Sequence, residues 1–259
     1  MNNPSAPLLE VKNISKSYGN VSALVDINFK VEKNEIVGLI GDNGAGKSTL
    51  IKILSGVIKP DKGEIYWNGA LQKNYSFSKA KRNGITTVFQ DRALVEQHSI
   101  WRNIFIGREI TNWLGIVNVK KEKEESQKLM QDKMKFTSRF VTPDNVVGNM
   151  SGGEKQGVAI SRALYFDSNL IILDEPTTGL SLLETTKVLN FIRNIKNNGK
   201  SCIFITHNLF HVYPVADKII IIDRSEVAGT YEKDKLSIEE LENVIKTFAL
   251  GGNIEIDEK

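Results

Sequence analysis

The chain has 259 residues, 41% hydrophobic and 25% charged, a balance that excludes disordered and fibrous classes and fits one large globular domain or a core with subdomains. Lys+Arg 34 against Asp+Glu 31 leaves a net charge of +3, too weak a bias to argue for a nucleic-acid partner. No apolar run approaches the roughly 20 residues of a membrane-crossing helix, and the start MNNPSAPLLE carries no basic-then-apolar leader, so a soluble, cytoplasmic chain is expected.

In chain order, Ile27, Phe29 and Val31 take every second position, as in a half-buried strand. EIVGLI (35–40) is continuously apolar and suits a strand covered on both faces. It flows into GDNGAGKST, which fits G-x-x-x-x-G-K-[ST] from Gly41 to Ser48. Through Gly41, Asp42, Asn43, Gly44, Ala45 and Gly46 the backbone can wrap its N–H groups around phosphate oxygens. Lys47 then neutralises the β- and γ-phosphates, Ser48 offers a hydroxyl to Mg²⁺, and the helical stretch KSTLIKILSG, with Thr49 in its first turn, directs its positive end at the anion. A nucleoside triphosphate is the expected ligand. Gly56 is the expected stop of that helix, and Asn68-Gly69 between strand-like residues reads as a hairpin turn.

Residues 91–165 change character. KKEKEESQKLMQDKMKF (120–136) predicts a charge-rich amphipathic helix with a solvated face. MSGGEKQ (150–156) follows, in which Ser151 and Glu154 form a capping box, so that residues from 152 onward start a helix whose N–H groups face an anion. Strands return as NLIILD (169–174) and SCIFIT (201–206), separated by the helical pattern of ETTKVLNFIRNIKNNG. That alternation predicts a parallel α/β core, with the single Cys202 buried inside it. LIILDEPT ends its apolar run on two acids, at the strand end where open α/β sheets bind ligands. Asp174 is the expected Mg²⁺ ligand, and Glu175 is free to polarise a water attacking the γ-phosphate. Ser237 and Glu240 cap a last helix with Ile238, Leu241, Val244, Ile245 and Phe248 on one side, closed by glycines 251–252.

GDNGAGKST, MSGGEKQ, LIILDEPT and ITHN in this order resemble the ATP-binding subunit of ABC transporters. The resemblance covers residues 7–250 as a single ATP-binding domain, leaving 251–259 as a tail. It implies a P-loop NTPase (RecA-like) α/β core, an antiparallel β-subdomain, and an inserted α-helical subdomain at about 91–165. In that family two subunits pack head to tail, so Ser151, Gly152, Gly153 and Glu154 would close over the ATP held by the mate's phosphate loop. Tyr18 matches the aromatic that stacks on adenine, the alternative being a core or turn tyrosine. Gln90 matches the residue that senses Mg²⁺ and the attacking water, and His207 the histidine that contacts the γ-phosphate. His98 and His211 are expected to be structural.

Departures from the family pattern are Met150 and Glu154 around the Ser-Gly-Gly element, Ser181 where Asp is usual after Leu180, and one nucleotide domain where sugar-uptake ATPases often carry two. QDRALVEQHSIWRNIFIGRE (90–109) and Ser181 look like the ATPases of ribose-, xylose- and fructose-type importers. The resemblance implies ATP and Mg²⁺ as cofactors, and as partners a second copy of the subunit, an integral membrane permease and, indirectly, a solute-binding protein. Nucleic acid is not among them, and the location is the cytoplasmic side of the membrane. Residues near 90–107 would transmit closure to the permease. Ile100, Trp101, Ile104 and Phe105 furnish either an apolar groove for its coupling helix or the subdomain's own core. The competing reading is a non-transport ABC ATPase acting on ribosomes or DNA.

Overall fold

The computed structural model describes residues 6–90, 93–133, 141–166 and 168–249. The chain opens with β1 (Leu9–Tyr18) and β2 (Val21–Val31), enters β3 (Ile36–Ile40) and α1 (Lys47–Leu54), then forms β4 (Lys62–Trp67) and β5 (Ala70–Leu71). Next come α2 (Phe77–Arg82), β6 (Ile85–Val88), α3 (Ile100–Phe105), α4 (Val119–Lys128) and α5 (Gly152–Tyr165). The last third alternates through β7 (Leu170–Asp174), α6 (Leu182–Asn197), β8 (Ser201–Thr206) and α7 (Leu209–Val212), and ends with β9 (Lys218–Asp223), β10 (Glu226–Glu232) and α8 (Ile238–Ala249).

Two sheets result. The first is antiparallel in the order β2-β1-β4-β5; the second runs β10-β9-β3-β8-β7-β6, parallel throughout except for β10 at its edge. Every residue of β3 and β8 is buried, which explains their unbroken apolar sequences: each face meets a different layer. Val37, Leu39, Ile172, Ile203 and Ile205 face α1 and the antiparallel sheet. Ile36, Ile40, Ile171, Leu173, Cys202 and Phe204 face the layer containing α3, α5, α6 and α8. The two-residue period of the strands thus divides the core into two clusters, one on either side of the larger sheet. Cys202 lies fully inside, and burial pushes its thiol pKa up.

Alternation in β2 follows its pattern, with Ile27, Phe29 and Val31 buried and their neighbours exposed. Asn68 and Gly69 both take positive φ, 49° and 77°, in the tight turn between β4 and β5. α1 stops where Gly56 N–H returns to Ile53 O at 2.9 Å and Val57 N–H to Lys52 O at 2.8 Å, a Schellman closure. Ser237 and Glu240 exchange the two bonds of a capping box, 2.7 and 3.2 Å, at the head of α8. The glycines at 251–252 lie outside the described residues.

One expectation is corrected and one open alternative is divided. The helix read over 120–136 is α-helical only to Lys128 and continues as a π turn over Leu129–Lys133; residues 134–136 lie outside the described residues. Leu129 and Met130 are consecutive, yet both are buried, and the wider turn brings two neighbouring apolar side chains into the core together. Among the residues read as groove or core, Ile100 and Ile104 are one turn apart and fully buried, so they belong to the core. A cavity of about 310 Å³ lies outside them instead, walled by Trp101 and Phe105 with Ile106, Val117 and Val119. Beyond that cavity an arm closed by the Thr111–Val117 bridge holds Trp113, Leu114 and Ile116 out in the open.

Candidate functional site

Strand register decides which side chains meet. Ile40 pairs with Thr206, Asp174 with Ile205, and Val88 with Leu173. The residues just beyond these pairs are Gly41, Glu175, His207 and, two past Val88, Gln90, so all four emerge at the same edge of the sheet. That edge is the carboxyl end of parallel strands, where the fold leaves a crevice.

At this edge the phosphate loop joins β3 to α1. Gly46 caps α1 with φ 99°, and a Cβ there would lie 2.3 Å from Ala23 O, so only glycine fits. Lys47 is 7% exposed. Its ammonium donates to the carbonyls of Gly41 and Asp42, the latter at 2.9 Å. Desolvation pulls its pKa down, while the charges of Glu175, Asp42 and Asp174 oppose that shift. A cation short of water, amid acids and loop carbonyls, is well placed to gain from an incoming polyphosphate.

Asp174 closes β7. Burial raises its pKa and the neighbouring charge of Glu175 raises it further, against the pull of Lys47 and Lys52. A desolvated carboxylate beside a like charge favours a divalent cation. Among the described residues no group of three or more His, Cys, Asp and Glu forms a self-contained cage. That donor set suits Mg²⁺, which takes one or two protein oxygens and fills its shell from phosphate and water; Ser48, Gln90 and Asp174 supply oxygen donors of that kind.

Glu175 follows in a left-handed conformation, φ 46°. Its N–H donates to Ile205 O at 2.9 Å. One carboxylate oxygen meets His207 Nδ1 at 2.9 Å; the other accepts from Thr178 Oγ1 at 2.9 Å and Thr206 Oγ1 at 3.3 Å. With Glu175 ionised, His207 carries its proton on Nδ1 and leaves Nε2 as an acceptor, so donating to a phosphate requires a second proton or release of Glu175. Behind this group Thr177 Oγ1 bonds His211 Nδ1 at 3.0 Å, and Asn208 bonds His211 Nε2 at 3.3 Å. Burial, then the nearby His207, lowers the pKa of His211, which acts as a neutral brace beneath the turn after the acidic pair.

Two further candidates are exposed. Tyr18 is 51% exposed at the end of β1, so the core alternative falls away. Gln90 is exposed just past β6, while Asp91 and Arg92 lie outside the described residues. The segment that follows is anchored by Asn103, fully buried, whose amide bonds Val95 N–H at 2.7 Å and Val95 O at 3.0 Å.

The Ser-Gly-Gly element is bonded to the head of α6. Ser151 caps α5, accepting from Glu154 N–H at 3.3 Å, while Glu154 accepts from Ser151 N–H at 3.0 Å. Gly153 N–H donates to Glu184 Oε1 at 3.2 Å, in the first turn of α6. Ser181 caps α6 and donates to Glu184 Oε2 from its N–H at 3.1 Å and from its hydroxyl at 2.9 Å. The sequence reading did not single out Thr178, Thr206 or Glu184. A Thr immediately before His207 at a strand end and an acid three residues after Ser181 were the available signals.

Comparison with known proteins gives a consistent picture. The family described as ABC transporter matches residues 24–178, more than half of the chain. The xylose/arabinose import ATP-binding protein of Sulfolobus acidocaldarius is 43% identical over 244 residues, 94% of this chain and 96% of that protein. The xylose import ATP-binding protein of Thermoanaerobacter pseudethanolicus is 35% identical over 94% of this chain, which spans only 47% of that longer relative. Among solved structures, the ADP conformation of MJ1267, an ATP-binding cassette of an ABC transporter, superposes with TM-score 0.78 and 26% identity, covering 93% of this chain and 96% of that one.

Proposed function

The chain belongs to the ABC transporter family, and from that premise we propose that it is the ATP-hydrolysing motor subunit of an importer for monosaccharides. The observation that carries the reading is Glu175, fixed at the sheet edge by His207, Thr178 and Thr206 beside the phosphate loop. The sugar-import names of the 43% and 35% identical relatives support the class of cargo.

In this reading the N–H groups of residues 41–49 and the ammonium of Lys47 hold the triphosphate, exchanging the carbonyl bonds of Lys47 for phosphate oxygens. Glu175 accepts a proton from the attacking water, and His207 holds that carboxylate in place and then faces the γ-phosphate. Mg²⁺, held by Ser48, Asp174 and Gln90, would neutralise charge on the β- and γ-phosphates. Tyr18 offers an exposed ring for adenine.

The second phosphate element belongs to another nucleotide. Among the described residues the polar partners of 151–154 lie on α6 rather than on 41–49, which supports a head-to-tail dimer where each Ser151 closes over the mate's ATP. Two-fold symmetry makes two such sites. ATP then holds the closed dimer together, hydrolysis releases it, and the motion passes through the segment after Gln90 to a permease fed by a solute-binding protein. No helix among the described residues is long and apolar enough to cross a membrane. In this reading the chain attaches on the cytoplasmic side through the permease.

Glu175→Gln tests the reading. The variant should bind ATP as the parent does, lose turnover by at least about 10²-fold, and accumulate as an ATP-bound dimer in sedimentation. Hydrolysis at the parental rate would remove Glu175 from the chemistry.

A further inference from the structure

Glu184 joins two elements that serve different nucleotides. Its carboxylate lies between the heads of α5 and α6, with Oε1 on Gly153 N–H at 3.2 Å and Oε2 on the N–H and hydroxyl of Ser181 at 3.1 and 2.9 Å. The helices are in close contact here: a Cβ on Gly153 would lie 3.0 Å from Glu184 Cβ and 3.2 Å from Glu184 Cα. Only five residues separate Glu175 from Ser181, and that turn is braced by Thr178 on Glu175 and His211 on Thr177. A rigid path therefore runs from Glu175 through residues 176–181 and the Glu184 carboxylate to the backbone of the Ser-Gly-Gly element.

We propose that Glu184 is a positioning residue that locks the head of α5 to the turn after Glu175, so that the hydrolytic carboxylate of one ATP site and the Ser151 element lent to the other move as one piece. This rests on the head-to-tail reading above. In such a dimer Glu175 acts on the chain's own nucleotide and Ser151 on the mate's, so the Glu184 clasp couples the two sites. Both carboxylate oxygens are acceptors, an arrangement glutamine cannot reproduce because its amide NH₂ would face an N–H group. The carboxyl is held far below its ordinary range, at about 2, by the bonds from Ser181 and Gly153 and by the Ser151 hydroxyl, so the clasp is charged at every physiological pH.

The test is a double-mutant cycle in the full chain: parent, Glu184→Gln, Ser151→Ala and the double variant, read by steady-state ATP hydrolysis, the Hill coefficient for ATP and ADP binding. Expected for Glu184→Gln are unchanged ADP affinity within about twofold, a fall in kcat of about tenfold and a Hill coefficient dropping from between 1 and 2 to 1. On the Ser151→Ala background the same substitution should add less than about twofold, because both act through one element. Should Glu184→Gln not fold, Ser181→Ala, which loosens the clasp from the α6 side, carries the same expectations with a smaller fall. Parental kcat and cooperativity in the variant, a full multiplicative effect beside Ser151→Ala, a matching loss of ADP affinity, or an active parent with a Hill coefficient of 1 would each overturn the clasp alone. A parent that neither hydrolyses ATP nor dimerises with it overturns the motor reading itself.

Discussion

Glu175 takes a left-handed backbone conformation that costs a non-glycine residue about 1–3 kcal/mol. The strain persists because its N–H is tied to Ile205 and its carboxylate to Thr178, Thr206 and His207. Thr178→Val removes one of those ties while keeping the side-chain shape. It should lower kcat about tenfold and leave KM for ATP within about twofold, a split that steady-state kinetics resolves. The sequence pointed to Glu175 because an apolar run that ends on two acids is a local signal. It did not point to Thr206, nor to the reach of Glu184 beyond its own cap with Ser181, because their bonds to Glu175 and Gly153 each span 31 positions. Glu184 also has a signature in acid. Its carboxyl is lowered from 4.5 to about 2, so the unfolded chain binds a proton there that the folded chain does not. Its contribution to stability is complete above pH 4.5 and is lost as pH falls toward 2. In Glu184→Gln the stability-against-pH curve should be flatter across that window, measured by denaturant titration at stepped pH.

The helical heads carry the site's geometry, and their caps were legible because a capping box lies within four residues. The boxes at Ser151 and Ser237 form as their spacing predicts. What the spacing could not reveal is that Gly153 sits where α5 touches α6. Gly153→Ala should gain helix propensity, since alanine is the better helix former by up to about 1 kcal/mol, yet it forces the two heads apart. The expected result is a fall of about tenfold or more in ATPase activity with a melting temperature within a few degrees of the parent. α3 shows the opposite balance. Phe105 is buried with its ring edge-on to Tyr165 at 4.6 Å, and Phe105→Ala should destabilise the chain by about 3–5 kcal/mol, read by denaturant unfolding. Sequence alone offered α3 as groove or core, because a six-residue helix presents too few positions to separate an inner from an outer face. The π turn at Leu129–Lys133 was beyond reach for a similar reason: a helical period cannot show where it is broken to bury two adjacent residues.

Across the whole molecule, the parallel core was readable from buried strands that alternate with a helix, and the strand order was not. Register places Gly41, Gln90, Glu175 and His207 along one edge only once β3 is inserted between β9 and β8, a crossover that no local pattern encodes. The absence of a self-contained acidic or thiolate cage among the described residues has a bearing on metal removal. On the proposed reading, in which Ser48, Gln90 and Asp174 hold Mg²⁺ together with the phosphates, chelation should abolish ATP turnover and leave the melting temperature of the nucleotide-free chain unchanged. The arm bridged at Thr111 and Val117 offers a different kind of handle. Of the three indoles, Trp67 and Trp101 are buried, at 7% and 8%, while Trp113 stands 90% exposed at its tip. Acrylamide or iodide in solution can therefore extinguish the emission of a single fluorophore, and whatever surface comes to cover that arm announces its arrival as shelter from the quencher and a blue shift in that indole's own light.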